Sequence, residues 1–350
     1  MSLYNELKKI SKKQWCYYDN ITFSGYEEAI KNPIEFILSY FHYAGKNEFL
    51  YGTLFDSMQN NEEQMKRAIH MVNTFFLGLY FKEKIDYLNP NKNSYLANDN
   101  NFVWAWFLCS LYHDAFFNID EEIALNFDYA HFSNRLLYSR DLIKKYYEKG
   151  KNPETSHNGK INHDHGIVAA ERLFTNYMKM IIEKSKQEQN AFQKFLANKD
   201  LDYCGLKINF STFTAMCKVA KIIASHNIYV STENNDGKYD KLPELLTYNS
   251  QFRYMPNIKT HCQMSSYERL YFLLALVDTL EPSKRTIDLN DIDIQLDKLE
   301  FGKYSLHINI SKPQENYFNG IKNLNNWLNF VEVSDNSLEI YLDFNKNKNI

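Results

Sequence analysis

At 350 residues the chain is long enough for one large domain or a domain with an appendage, and 44% hydrophobic with 16% aromatic residues can fill a core of that size. A formal net charge of −3 excludes any global attraction to nucleic acid or anionic lipid. The five cysteines, Cys16, Cys109, Cys204, Cys217 and Cys262, are scattered, odd in number and mostly set among apolar neighbours, which argues for reduced core thiols rather than a disulfide framework. Residues 1–14 are lysine-rich without the apolar stretch of a signal peptide, and no uninterrupted apolar run reaches the roughly 18 residues of a membrane span. The expectation is a cytoplasmic protein with no membrane partner.

Residues 4–15 interleave apolar positions with Lys8, Lys9, Lys12 and Lys13, predicting an amphipathic helix with a solvated basic face. Asn32-Pro33 opens a helix over 34–43, with proline tolerated in the first turn, and Gly45-Lys46-Asn47 ends it. A helix over 61–84 is acidic at its start and lysine-rich at its end, as the helix dipole favours. Its apolar face comprises Met65, Ile69, Val72, Phe76, Leu77 and Tyr80, and His70 falls among these positions. By itself His70 reads either as a satisfied core histidine or as a ligand.

Residues 86–101 are a loop by composition. The almost wholly apolar run 104–117 follows, carrying His113-Asp114 near its end. A buried imidazole–carboxylate pair is costly unless something satisfies it, and a divalent cation does so because both groups are ligands. Two more helices are expected over 120–127 and 129–147, with His131 of the second in a packing role. A polar loop over 150–162 delivers the chain to Asn162-His163-Asp164-His165-Gly166, where Asn162 can cap the helix that follows and Asp164 suits its first turn. Ile167, Val168, Ala170, Leu173, Phe174, Tyr177, Met178 and Ile181 form that helix's buried stripe.

The charged stretch 184–199 reads as a solvated helix, and 211–225 as a helix closed by His226 after the apolar run 219–224. A third polar loop, 231–241, is a lid or a disordered segment by composition. The helix over 265–280 carries Asp278 among apolar residues, so this carboxylate needs a partner: Lys284, Arg285 or a metal. After Arg285 the pattern changes to alternation (Tyr304, Leu306, Ile308, Ile310; Leu338, Ile340, Leu342), with a helix expected over 316–328. The sequence shows no internal repeat, phosphate-binding glycine loop or CxxC pair.

In chain order the candidates read His70, His113-Asp114, His163/His165, His226 and Asp278, on helices separated by polar loops. In that order, and in the local sequences Arg67-Ala68-Ile69-His70-Met71-Val72-Asn73, Leu111-Tyr112-His113-Asp114, His165-Gly166-Ile167-Val168-Ala169-Ala170 and Leu276-Val277-Asp278-Thr279-Leu280-Glu281-Pro282, the chain resembles the HD-domain metal-dependent phosphohydrolases. The resemblance covers roughly residues 60–285. It implies a mainly α fold: an HD-domain helical bundle over 61–285, preceded by a helical extension, 1–60, and followed by a small α+β appendage, 286–350.

The resemblance further implies that His70, His113, Asp114 and Asp278 bind one metal and that Asp114 bridges to a second held by His165 and His226. A mononuclear site would leave those two histidines unexplained, so two divalent ions are expected, drawn from Mn, Fe, Mg, Ni or Zn by an N/O ligand set without thiolate. Asp114 would orient the nucleophile and His163 would protonate the leaving group. One departure stands out: the glycine and lysine that many members carry after the His-Asp pair are replaced by Ala115-Phe116-Phe117-Asn118. Lys160, Lys284 or Arg285 would substitute for that lysine in substrate contact, and His163 and Asp164 would touch the substrate or the metal-bound water. The implied activity is hydrolysis of a nucleotide or cyclic (oligo)nucleotide phosphoester. Rival readings are a nuclease acting on single-stranded nucleic acid, a di-iron oxygenase with the same ligands, and an inactive nucleotide sensor.

Overall fold

The computed structural model describes residues 3–16, 22–41, 62–115, 165–203, 206–226 and 266–281, together with four strands over 296–302, 305–310, 331–333 and 338–343. The helices expected over 120–127, 129–147 and 316–328, His131, and the polar loops 150–162 and 231–241 lie outside these residues.

The fold is mainly α. The helix expected over 4–15 is instead two short helices, α1 (Leu3–Leu7) and α2 (Lys12–Trp15). Ser11 interrupts it, because the Gln14 side chain accepts a hydrogen bond from the Ser11 N–H at 2.8 Å and so caps a new start. Lys8, Lys9, Lys12 and Lys13 are all exposed, as the basic-face reading requires. Next come α3 (Tyr26–Lys31) and α4 (Pro33–Phe41), the latter opened by its proline.

Helix α5 (Glu62–Lys84) buries His70 and its apolar face, except that Met65 is 38% exposed. The stretch 86–101 is not a plain loop. It contains 3-10 turns at Asp86–Leu88 and Tyr95–Ala97, and α6 (Asp99–Tyr112) starts within it. Asn98 caps α6 by accepting from the backbone N–H groups of Asn100 and Asn101, at 3.0 and 3.3 Å. From Phe102 onward every residue of α6 is buried, so it is the central helix, apolar on all sides and covered on all sides. Helix α5 packs closely on it at Gly78, where an added Cβ would fall 2.0 Å from Trp106 Cζ2. The Trp106 indole N–H donates to the Phe75 carbonyl at 2.8 Å.

Helix α7 (His165–Gln187) buries Val168, Ala170, Leu173, Phe174, Tyr177 and Ile181. The helix expected over 184–199 breaks at Asn190, whose φ of 64° is left-handed, and resumes as α8 (Ala191–Leu196) with Ala191 and Phe195 buried. A hairpin unforeseen from the sequence follows, β1 (Leu201–Tyr203) pairing antiparallel with β2 (Leu206–Ile208). Helix α9 (Phe210–Ser225) starts on Asn209, whose side chain accepts from Thr212 N at 2.8 Å, and packs along α7. Helix α10 (Ser266–Leu280) packs on α5 and α9. One hydrophobic cluster runs from Leu7 to Leu280, joining residues of the N-terminal helices to those of α5–α10. Cys109 is fully buried within it and Cys16 and Cys217 are partly buried, all three as free thiols.

In the C-terminal region β3 (Leu296–Gly302), β4 (Ser305–Ile310), β5 (Val331–Val333) and β6 (Leu338–Asp343) form an antiparallel sheet ordered β3-β4-β6-β5. Its register sets Leu306 opposite Leu342, Ile308 opposite Ile340 and Ile310 opposite Leu338, matching the alternating residues of the sequence in pairs. Among the described residues no helix is long and apolar enough to cross a membrane.

Candidate metal centre

Helix ends build the site. His113 is the C-cap of α6 and Asp114 the next residue, in the turn. His226 is the C-cap of α9, His165 the first residue of α7, and Asp278 lies in the last turn of α10. Only His70 comes from within a helix, α5. Three helix C-termini thus converge here, and their partial negative charge favours a cation at this point.

His70 and His113 are fully buried, Asp114 is 1% exposed, His226 4% and His165 7%, so water does not solvate this cluster freely. The atoms fall into two groups within which all lie less than 4.8 Å apart: His70, His113, Asp114 and Asp278; and Asp114, His165 and His226. In the first, His70 Nε2 lies 3.0 Å from Asp278 Oδ1, 3.3 Å from His113 Nε2 and 3.6 Å from Asp114 Oδ2, and His113 Nε2 lies 3.3 Å from Asp278 Oδ1. In the second, Asp114 Oδ1 lies 2.9 Å from His165 Nε2 and 3.7 Å from His226 Nε2. Asp114 Oδ2 therefore faces His70 and Oδ1 faces His165 and His226, with His113 Nε2 3.9 Å from Oδ1.

Hydrogen bonds on the far side of the rings decide their tautomers. His113 Nδ1–H donates to the Ser110 carbonyl at 2.8 Å, and His226 Nδ1–H to the Ile223 carbonyl at 2.6 Å. His70 Nδ1–H donates to Glu281 Oε2 at 2.5 Å. A neutral ring bonded in this way turns the lone pair of its Nε2 toward the centre. Burial holds the His113 imidazole below the usual histidine range, against the opposing pull of the Asp114 and Asp278 carboxylates.

With neutral rings the result is a buried cluster of imidazole lone pairs facing carboxylate oxygens. His70 Nε2 and His113 Nε2 confront each other and a carboxylate oxygen, and His226 Nε2 is buried without a hydrogen-bond partner. Among the described residues Arg67 brings a positive charge to these carboxylates, donating from Nη1 to Asp114 Oδ2 at 2.7 Å. Divalent cations suit such a gathering of imidazoles and carboxylates. Its dimensions suit them: ligands about 2.1 Å from an ion in octahedral geometry sit roughly 3.0 Å apart when adjacent and 4.2 Å apart when opposite. Buried His and Asp groups that can hold metal ions are therefore present, and the N/O donor set is that of divalent cations of intermediate hardness.

All of the metal ligands expected from the sequence, His70, His113, Asp114, His165, His226 and Asp278, come together here. His163, Asp164 and Lys160, and likewise Lys284 and Arg285, lie outside the described residues. Sequence reasoning missed three side chains. Arg67 comes three residues before His70 on the same helix and was read only as part of a motif. Glu281 comes three residues after Asp278, one turn further along the chain. Asn73 follows His70 by the same spacing and donates to Glu281 Oε1 at 2.8 Å. The i, i+3 spacing from a candidate ligand is the signal that would have found each of them. Compared with known proteins, the chain matches no family model, no curated protein and no solved structure.

Proposed function

We propose that this chain is a metal-dependent phosphohydrolase of the HD type, acting on a nucleotide or cyclic (oligo)nucleotide phosphoester through two metal ions. One observation carries the reading: a single buried carboxylate, Asp114, belongs to both ligand groups, with Oδ2 facing His70 and Oδ1 facing His165 and His226. That is the geometry a bridging ligand needs, and it gives His165 and His226 a purpose that one ion would not. When bound, the paired ions would supply a water of lowered pKa and neutralise the phosphate oxygens.

The chain's own residues supply the rest. Asp114 orients the attacking oxygen between the two groups. Its Oδ2 is held by Arg67, whose side chain is 19% exposed, and Asp278 is 13% exposed, so both reach toward solvent from an otherwise closed cluster. A phosphate approaching on that side meets the Arg67 guanidinium, a forked donor suited to phosphate oxygens. Arg67 thus joins Lys160, Lys284 and Arg285, which lie outside the described residues, as a candidate for phosphate contact. His163, two residues before His165, remains the candidate proton donor to the leaving alkoxide.

The test is metal analysis of the purified chain, followed by a screen of phosphomonoesters, cyclic nucleotides and single strands with added Mn. Phosphate-ester hydrolysis that needs metal and is lost in Asp114→Asn supports the reading. Retention of full hydrolysis in that variant overturns it. Iron-dependent O₂ consumption without phosphate release would replace it with the oxygenase, and nucleotide binding without turnover would replace it with the sensor.

A further inference from the structure

The N-terminal helix α3 reaches the metal cluster through a chain of buried side chains. Tyr26 O–H donates to Asn73 Oδ1 at 2.7 Å. Asn73 Nδ2 donates to Glu281 Oε1 at 2.8 Å, and Glu281 Oε2 accepts from His70 Nδ1 at 2.5 Å. Tyr26 is 3% exposed, Asn73 3%, Glu281 0% and His70 0%. None of this network is needed to hold a metal, and Tyr26 lies 44 residues before His70 in a part of the chain without a candidate ligand.

The polarity of the chain follows from which groups have protons. A carboxylate accepts only, so the Asn73 amide must present its NH₂ to Glu281 and its oxygen to Tyr26. Tyr26, at the far end, must then be the donor. Glu281 in turn receives the proton of His70 Nδ1, which leaves Nε2 with its lone pair facing Asp278 and His113. With the opposite tautomer Nδ1 would present a lone pair to a carboxylate oxygen 2.5 Å away, while Nε2 would aim a proton at the centre.

We infer that Tyr26, Asn73 and Glu281 form a one-directional relay that fixes His70 in its metal-accepting tautomer, so that a residue of helix α3 sets metal affinity at the first group. These are positioning residues: they touch His70, not the substrate. The carboxylate of Glu281 also makes the His70 ring a stronger donor to a cation, as hydrogen-bonded partners of ligand imidazoles generally do. Tyr26 acts at one further remove, by keeping Asn73 from turning its oxygen to Glu281. The inference rests on the metal-binding reading of the cluster and does not depend on which reaction follows.

Full-length protein labelled with ¹⁵N-histidine, stripped of metal by chelation, gives the His70 tautomer by long-range ¹H–¹⁵N correlation. Manganese titration followed by EPR gives the affinity. The variants are Glu281→Gln and Tyr26→Phe. Both keep side-chain shape, and the second keeps the edge contacts of the Tyr26 ring with Tyr4 and Phe76, at centroid distances of 5.4 and 5.2 Å. Expected are a wild-type His70 protonated on Nδ1, roughly 10–100-fold weaker manganese binding in Glu281→Gln, and a several-fold weakening in Tyr26→Phe, without loss of the helical signal in either. A role confined to packing would leave both readouts unmoved. Wild type that binds manganese while both variants bind it equally well, or a wild-type His70 protonated on Nε2, overturns the relay alone. Wild type that takes up no manganese overturns the metal reading and the relay's effect on affinity together.

Discussion

Gly166 lies against the imidazole of His226: a Cβ built on it would stand 2.8 Å from both Cε1 and Nδ1 of that ring, and 2.8 Å from the Ile223 carbonyl to which the ring is tied. The start of α7 is thereby pressed onto the end of α9, which sets His165 and His226 on either side of the same Asp114 oxygen. A glycine in the first turn of a helix costs about 1 kcal/mol relative to alanine, so propensity alone predicts that Gly166→Ala stabilises. The contact predicts the reverse. The carbonyl cannot yield cheaply, and overpacking of this kind costs about 1–3 kcal/mol. Gly166→Ala should therefore lower the denaturant midpoint and displace His226, with loss of about one metal per chain. A midpoint raised by the substitution would show that the helices separate freely here.

The two groups predict a divisible stoichiometry. Wild type should bind two equivalents of Mn or Zn by elemental analysis. His226→Ala removes one ligand of the second group and leaves all four of the first in place, so it should retain about one equivalent. Asp114→Ala touches both groups and should retain little. Equal loss in the two variants would mean that the cluster holds a single ion.

Metal removal should register as stability, because the acceptor cluster has no comparable partner in the unfolded chain. Binding confined to the folded state adds about 2.7 kcal/mol when free metal is a hundred times the dissociation constant. Chelation should thus lower the melting temperature, with readdition restoring it. An unchanged melting curve would mean that the Nε2 atoms of His70, His113 and His226 are satisfied without a cation.

Much of this site was legible in the sequence because its ligands interrupt apolar runs. A histidine or aspartate inside such a run is conspicuous, and His113, Asp114, His226 and Asp278 all stand at or near the ends of strongly apolar helices. Helix ends themselves were less legible. Asn98 and Ser11 start helices by local hydrogen bonds of their own side chains or of a partner three residues on, which composition does not weigh correctly in a polar stretch. The break at Asn190 depends on one residue adopting a left-handed φ, to which helical periodicity is blind. Arg67, Asn73 and Glu281 escaped notice for a different reason. Arg67 and Asn73 are polar on a helix with other polar residues, Glu281 comes just after the end of α10, and the burial of Asn73 and Glu281 is a consequence of tertiary packing.

The close approach of α5 and α6 predicts where the core is least tolerant. Gly78→Ala would put a methyl group 2.0 Å from Cζ2 of Trp106, a ring that is itself fully buried and fixed by its N–H bond to Phe75 O. Neither the ring nor the backbone has room to retreat, so the cost should reach or exceed the ~3 kcal/mol end of the overpacking range. Trp106→Phe removes the bond and some volume, and should cost about 3 kcal/mol or less from cavity and hydrogen-bond loss combined. Chemical denaturation of both variants checks the order. Gly78→Ala as the milder of the two would mean that α5 and α6 can shift apart.

Arg67 should separate substrate binding from metal binding. Its Nη1 donates to Asp114 Oδ2 at 2.7 Å, and its side chain remains 19% exposed while the aspartate is fully buried. If its role were only to neutralise Asp114, Arg67→Ala would weaken both metals and leave the Michaelis constant of the loaded enzyme unaltered. If the exposed part of the guanidinium also receives a phosphate oxygen, the fully loaded variant should lose an ionic hydrogen bond worth about 1.5–3 kcal/mol, roughly 10–150-fold in kcat/KM. Arg67→Lys should recover part of the charge but not the fork, since an ammonium cannot hold Asp114 and a phosphate in one plane. Steady-state kinetics at saturating metal distinguish the cases: a raised KM at full metal occupancy assigns the guanidinium to the substrate. A change confined to metal occupancy assigns it to Asp114 alone.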